Sequence, residues 1–186
     1  MKAFKITLLA SLMLLPLAAA ARAADLDPAT PQTESEAMGL YLRGDLGWSF
    51  LDWSGGDDDS AFSVGGGVGY RFNDNMRTDL TVDWTGQYDV APGADMSTTT
   101  VLGNLYFDWA NDSAFTPYVG AGLGYGWVND TPSGDESGVA YGLAAGVAVT
   151  LTDSLDLDVG YRFHDTLISG PDPQEHIISA GVRFSF

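Results

Sequence analysis

The side chains able to do chemistry are few and mostly acidic: 25 Asp and Glu, 8 Lys and Arg, two His and no Cys in 186 residues. Without Cys there is no disulfide, no thiol nucleophile and no thiolate-bound metal. A hydrolase of the Ser–His–acid kind needs a base beside a hydroxyl and an acid to orient it. His164-Asp165-Thr166 supplies no Ser, and no spacing ties Glu175 to His176 as its acid. Ordinary hydrogen bonding is the plainer role for both His. Gly55-Gly56-Asp57-Asp58-Asp59-Ser60 offers carboxylates to a hard cation such as Ca²⁺. It lacks the alternating acids and distal Glu of an EF-hand loop, and reads as a solvated acidic loop. Gly120, Gly122, Gly124 and Gly126 recur every second residue and precede no helix, so they mark close backbone approach and not a phosphate loop. Asn111-Asp112-Ser113 matches a glycosylation sequon but reads as a turn. No catalytic residue, metal site or cofactor is expected. A net charge of −17 argues against a nucleic-acid partner, which is held by Lys and Arg.

These residues must be carried by something. Lys2 and Lys5 precede an apolar run from Ile6 to Ala21, followed by Ala21-Arg22-Ala23. Charged start, apolar middle and small-x-small end describe a secretory signal, residues 1–23, cleaved before Ala24. Without it the chain keeps all its acids, five Arg and no Lys, a net charge of −20. Residues 24–38 are polar, acidic and Pro-containing, an unstructured periplasmic lead-in.

From residue 39 to 186 the pattern alternates with a period of two, the signature of half-buried strands. Eight segments stand out: 40–50, 61–72, 76–88, 98–109, 116–127, 139–151, 155–166 and 176–186. The connections alternate between short (73–75, 110–115, 152–154) and long (51–60, 89–97, 128–138, 167–175). Eight antiparallel strands with short turns at one end and long loops at the other suit a transmembrane β-barrel.

Bulk decides which face is inside, because an eight-stranded barrel holds only side chains that just fill it. The apolar face carries sixteen rings by parity, Tyr88 among them, too many for that interior. They therefore face lipid. Those near segment ends, Trp48, Phe72, Trp84, Trp109, Trp127, Phe163 and Phe186, belong at the membrane–water boundary. The opposite face holds Arg43, Arg71, Arg77, Arg162 and Arg183 together with Asp45, Asp79, Asp83, Asp108, Asp156 and Asp158. On the lipid side each Arg would cost about 2–4 kcal/mol at the midplane. Inside, guanidinium and carboxylate pair with fixed geometry and plug the lumen. The long loops, with Asp52, Asp57, Asp58, Asp59, Asp89, Asp95, Asp130, Asp135, Glu136, Asp172 and Glu175, would project outward.

The signal, the eight amphipathic strands, Gly160-Tyr161-Arg162-Phe163 and the closing Ala180-Gly181-Val182-Arg183-Phe184-Ser185-Phe186 resemble the small outer-membrane β-barrel family of Gram-negative bacteria, the opacity-type or porin-like group. The resemblance covers residues 39–186. It implies an all-β, eight-stranded up-and-down barrel in the outer membrane. Its surroundings are outer-membrane lipid and lipopolysaccharide, and the barrel-assembly machinery reads the last strand ending in Phe186.

The expected function is structural: a barrel with a plugged lumen and acidic extracellular loops, serving envelope integrity or surface interaction with an extracellular partner the sequence does not name. A narrow small-solute channel is the alternative, since wide pores need about sixteen strands. A lipid A-modifying hydrolase is the third reading, and it lacks its Ser beside His164. A further reading has divalent ions shared between the acidic loop and lipopolysaccharide phosphates.

Overall fold

The structure is a computed structural model and describes residues 39–52, 59–91, 94–131, 134–168 and 173–186. The signal segment, the lead-in, and Asp57, Asp58 and Asp172 lie outside the described residues. Eight strands run in chain order: β1 Gly39–Asp52, β2 Asp59–Asn73, β3 Met76–Ala91, β4 Ala94–Asp108, β5 Phe115–Thr131, β6 Gly134–Thr152, β7 Leu155–Leu167 and β8 Gln174–Ser185. Each pairs antiparallel with the next, and β1 pairs with β8, so the sheet closes. Closure leaves no sheet edge unpaired in lipid.

The ladder also fixes the tilt. It runs from Leu42 through Val68, Leu80, Gly103, Leu123, Tyr141, Asp165 and Gln174, then returns to β1 at Asp52, ten residues above its start. A closed sheet with such a stagger must have strands tilted from the barrel axis. The short turns are tied by side chains. Asn73 Oδ1 accepts from the backbone N–H groups of Asn75 and Met76, each at 2.9 Å. Asn111 donates from Nδ2 to the carbonyls of Trp109 and Phe115, each at 2.9 Å, which is the turn chemistry read from its sequence. Gly134 opens β6 with φ of 103°, a conformation that side-chain-bearing residues rarely adopt.

Exposure follows the alternation. Leu40, Leu42, Leu46, Leu80, Leu105, Leu123, Leu143, Val159 and Val182 are exposed on the outer wall. Rings bracket them in two girdles. On the short-turn side stand Tyr70, Phe72, Phe107, Trp109, Phe115, Phe184 and Phe186; on the long-loop side stand Trp48, Phe50, Phe62, Trp84, Tyr125 and Trp127. Eight residues separate Leu40 from Trp48 and ten separate Phe115 from Tyr125. At about 3.4 Å per residue and a tilt of about 40°, the band is about 20–26 Å tall, the height of a hydrocarbon layer.

The strands reach further than expected on the long-loop side. β3 runs to Ala91 and β4 begins at Ala94, where a loop over 89–97 was expected; β5 and β6 extend to Thr131 and from Gly134. Glu175 belongs to β8 and is buried, so it does not project outward with the loop acids. Above the outer girdle the two faces exchange character. Leu51, Ala61, Tyr88, Met96 and Val128 pack inside the mouth as a small apolar core, with Ile168 against it. Outside, the same strands turn Asp52, Ser60, Ser97, Asn129 and Ser137 outward. Beyond the lipid the wall meets water, so the ordinary arrangement of apolar inside and polar outside returns. Tyr88 was expected on the lipid-facing side; it is fully buried in the lumen. The β3–β4 register shifts between Gly86 and Tyr88, and one extra residue turns the side chain to the other face.

Candidate functional site

The lumen holds three layers of side chains, contributed by all eight strands. In the middle layer Arg162 from β7 donates to Asp83 of β3 at 2.9 Å and also to Asp45 of β1. Arg43 lies 3.1 Å from Asp45 and 3.3 Å from Asp79, and donates to the Tyr106 hydroxyl at 3.0 Å. Asn104 donates to Asp79 at 2.8 Å and to Thr81 at 3.1 Å.

Toward the short turns, Arg77 holds Asp108 through Nε at 2.9 and 3.1 Å. Its guanidinium carbon stands 3.9 Å from the centre of the Tyr106 ring and 4.9 Å from that of Tyr118. Arg183 meets Asp156 at 3.2 Å and lies 3.8 Å from Asp158; Arg71 lies 3.6 Å from Asp156. Tyr41 links the two layers, donating to Asp79 at 3.1 Å and lying 3.4 Å from Arg77 Nη1. The five Arg and six Asp named from parity thus all stand within ion-pair distance of a partner in the lumen.

Burying these charges is tolerable only because they are paired and hydrogen-bonded on several sides. The space for them comes from the Gly-rich wall. A Cβ on Gly122 would strike the Asn104 side chain, one on Gly120 the Tyr106 ring, and one on Gly65 the Asp83 carboxylate. The glycines that recur every second residue are the floor on which side chains from other strands lie.

Toward the long loops, the one carboxylate of the third layer among the described residues is Glu175. Its Oε1 accepts from Thr98 at 2.7 Å and from Tyr88 at 2.9 Å, and the Tyr88 hydroxyl lies 2.6 Å from Ser49 Oγ. The apolar core caps this layer. The middle layer encloses a cavity of about 10 Å³ lined by Thr81, Asp83, Asn104, Arg162 and His164 among others. The mouth on the short-turn side opens into a vestibule of about 370 Å³ bounded by Arg71, Asp74, Asp108, Asn111, Asp112, Asp156 and Arg183.

Parity reached the charged residues but not the tyrosines or Glu175. Tyr41, Tyr106 and Tyr118 are buried inside with the charges. Each sits on the inward parity of its strand, so the signal for them is present in the sequence. Glu175 could have been found from its position beside the outward-facing His176.

On the outer wall, Trp48, Trp84, Trp127 and Phe163 stand at the long-loop girdle, and Phe72, Trp109 and Phe186 at the other. Edge-to-face pairs stiffen the girdles: Tyr70–Phe72 at 5.4 Å, Phe107–Trp109 at 5.3 Å, Tyr125–Trp127 and Phe184–Phe186 at 5.2 Å. His164 is buried in the lumen. His176 faces out, with Nδ1 2.6 Å from the Tyr161 hydroxyl. Among the described residues no group of three or more His, Asp or Glu is placed to hold a metal ion.

Comparison with known proteins places the closed eight-stranded barrel in a family. A family model for the outer membrane protein beta-barrel domain matches residues 7–186. An uncharacterized protein of Brucella abortus is 32% identical over 213 aligned residues, which cover 77% of this chain and 75% of that one. Outer membrane protein PagN of Salmonella typhimurium is 27% identical, over 70% of this chain and 76% of its own. The crystal structure of Neisserial surface protein A superposes with a TM-score of 0.72 at 26% identity, covering 80% of this chain and 97% of that one. The chain belongs to the outer membrane protein beta-barrel family, and its place is the outer membrane of a Gram-negative cell.

Proposed function

We propose that the protein is a closed surface barrel. It is anchored by its lipid-facing wall, serves envelope integrity or surface interaction through its acidic extracellular rim, and conducts no solute. The observation that carries this reading is the double stopper: the Arg–Asp pairs cross the lumen around a cavity of about 10 Å³, roughly the room for one water, and an apolar core lies above them. Insertion would begin with the assembly machinery reading the last strand through Phe186.

The narrow-channel reading draws support from the 370 Å³ vestibule alone, and that space ends at the ion pairs. Against lipid A hydrolysis stands the outer wall itself. The outward positions of β1, β7 and β8 carry no Ser, and the hydroxyl beside His176 belongs to Tyr161.

The test is conductance. Purified barrel inserted in planar bilayers is expected to give no single-channel steps. Steady unitary steps in 1 M KCl would establish the channel instead.

A further inference from the structure

The outer girdle is not uniform. Around β1 to β5 it consists of exposed rings over Leu and Val. Across β6, β7 and β8 it becomes polar and tightly knit. The His176 ring stacks on Tyr161 at 6.0 Å and leans on Phe163 at 5.3 Å. One step toward the rim, Asp165 Oδ2 accepts from the Tyr141 hydroxyl at 2.9 Å and from the Gln174 amide at 3.4 Å. Tyr141 is the ladder partner of Asp165 on one side and Gln174 on the other, so all three project from the lipid-facing side of the wall.

Asp165 nevertheless is only 3% exposed, and its Oδ1 has no hydrogen-bond partner among the described residues. A carboxylate oxygen left unpaired at the membrane boundary is costly, and ionisable residues kept in such places mark sites. What this site would bind is narrowed by charge. All five Arg of the barrel point into the lumen, and the barrel has no Lys. The outer wall therefore offers no cation to a phosphate.

We propose that this patch binds the sugar headgroup of the outer-leaflet glycolipid through its ring faces, hydroxyls and amides, without direct recognition of its phosphates. The rings of Tyr141, Tyr161 and Phe163 present apolar faces to the C–H side of a pyranose. Asp165 holds the Tyr141 hydroxyl and the Gln174 amide in place, and Gln174 and His176 bond the sugar's polar groups. The patch stands at the level of the outer girdle, where a glycolipid's sugars meet its acyl chains. The inference needs the outer-membrane placement and not the closed lumen, so a conductance result leaves it untouched.

The test is native mass spectrometry of the purified full barrel in detergent, titrated with three probes: diphosphoryl lipid A, monophosphoryl lipid A and phosphatidylglycerol. Both lipid A forms are expected to bind alike and at least about tenfold more tightly than phosphatidylglycerol. Asp165→Ala and His176→Ala are each expected to weaken lipid A binding about five- to tenfold, the loss of one or two hydrogen bonds. Trp84→Ala, on the far wall, is expected to change nothing. Should Asp165→Ala fail to show the heat-dependent gel shift of a folded barrel, Gln174→Ala and Tyr141→Phe take its place. The proposal is overturned if patch variants bind lipid A like wild type, if phosphatidylglycerol binds as well, or if losing one phosphate abolishes binding.

Discussion

Arg162 and Asp83 meet at 2.9 Å across the lumen although 79 residues separate them in sequence. The same guanidinium also takes Asp45, so one side chain joins β7, β3 and β1 through the barrel axis. Removing it strands the buried Asp83 carboxylate and leaves Asp45 with Arg43 alone. Arg162→Met is expected to destabilise the folded barrel by about 3–5 kcal/mol, the cost of leaving a buried charge unpaired. Urea unfolding in detergent, followed by the gel shift, measures it. The double variant Arg162→Met/Asp83→Leu is expected to be less damaged than the single one.

Lipid contact makes a depth-dependent claim. Leu105 and Val159 are exposed on the outer wall between the girdles, whereas Leu151 lies near its short-turn edge. Leu105→Arg and Val159→Arg are expected to cost about 2–4 kcal/mol each, and Leu151→Arg about 0–1 kcal/mol. Reversible folding into lipid vesicles reads the difference, and equal costs at all three positions would contradict the placement of the membrane.

The inward glycines make a claim about volume. A Cβ on Gly122 collides with the Asn104 side chain, which is committed to Asp79 and Thr81. On the neighbouring outward position Gly103, the nearest atom to a Cβ is 3.8 Å away. Gly122→Ala is expected to cost about 1–3 kcal/mol by overpacking, while Gly103→Ala is near neutral in thermal unfolding.

Two stoppers in series should have to be removed together. Tyr88→Ala/Met96→Ala opens the apolar cap but leaves the ion pairs, and Arg43→Ser/Arg162→Ser does the reverse. Neither pair alone is expected to give unitary steps in planar bilayers. The quadruple variant, refolded and checked by its gel shift, is expected to conduct.

Much of this was legible in the amino-acid order, because a strand's side chains alternate without reference to anything distant. Leu155, Leu157 and Val159 against Asp156 and Asp158 give the two faces of β7, and ring bulk sends the larger face outward. The cost of Arg in lipid then places Arg43, Arg71, Arg77, Arg162 and Arg183 inside. Partners are another matter. Which Asp receives Arg162 depends on the ten-residue stagger and on the girth of the closed wall, and these exist only once β1 has paired with β8. Tyr88 turned inward because the ladder slips beside Gly86, a decision of pairing that its own sequence neighbourhood does not contain. The apolar core at the mouth and the Tyr141–Asp165–Gln174 patch likewise gather residues from separate strands. Local alternation is a property of one strand and is written in the chain; a contact across the barrel is a property of closure, and only the tertiary structure sets it.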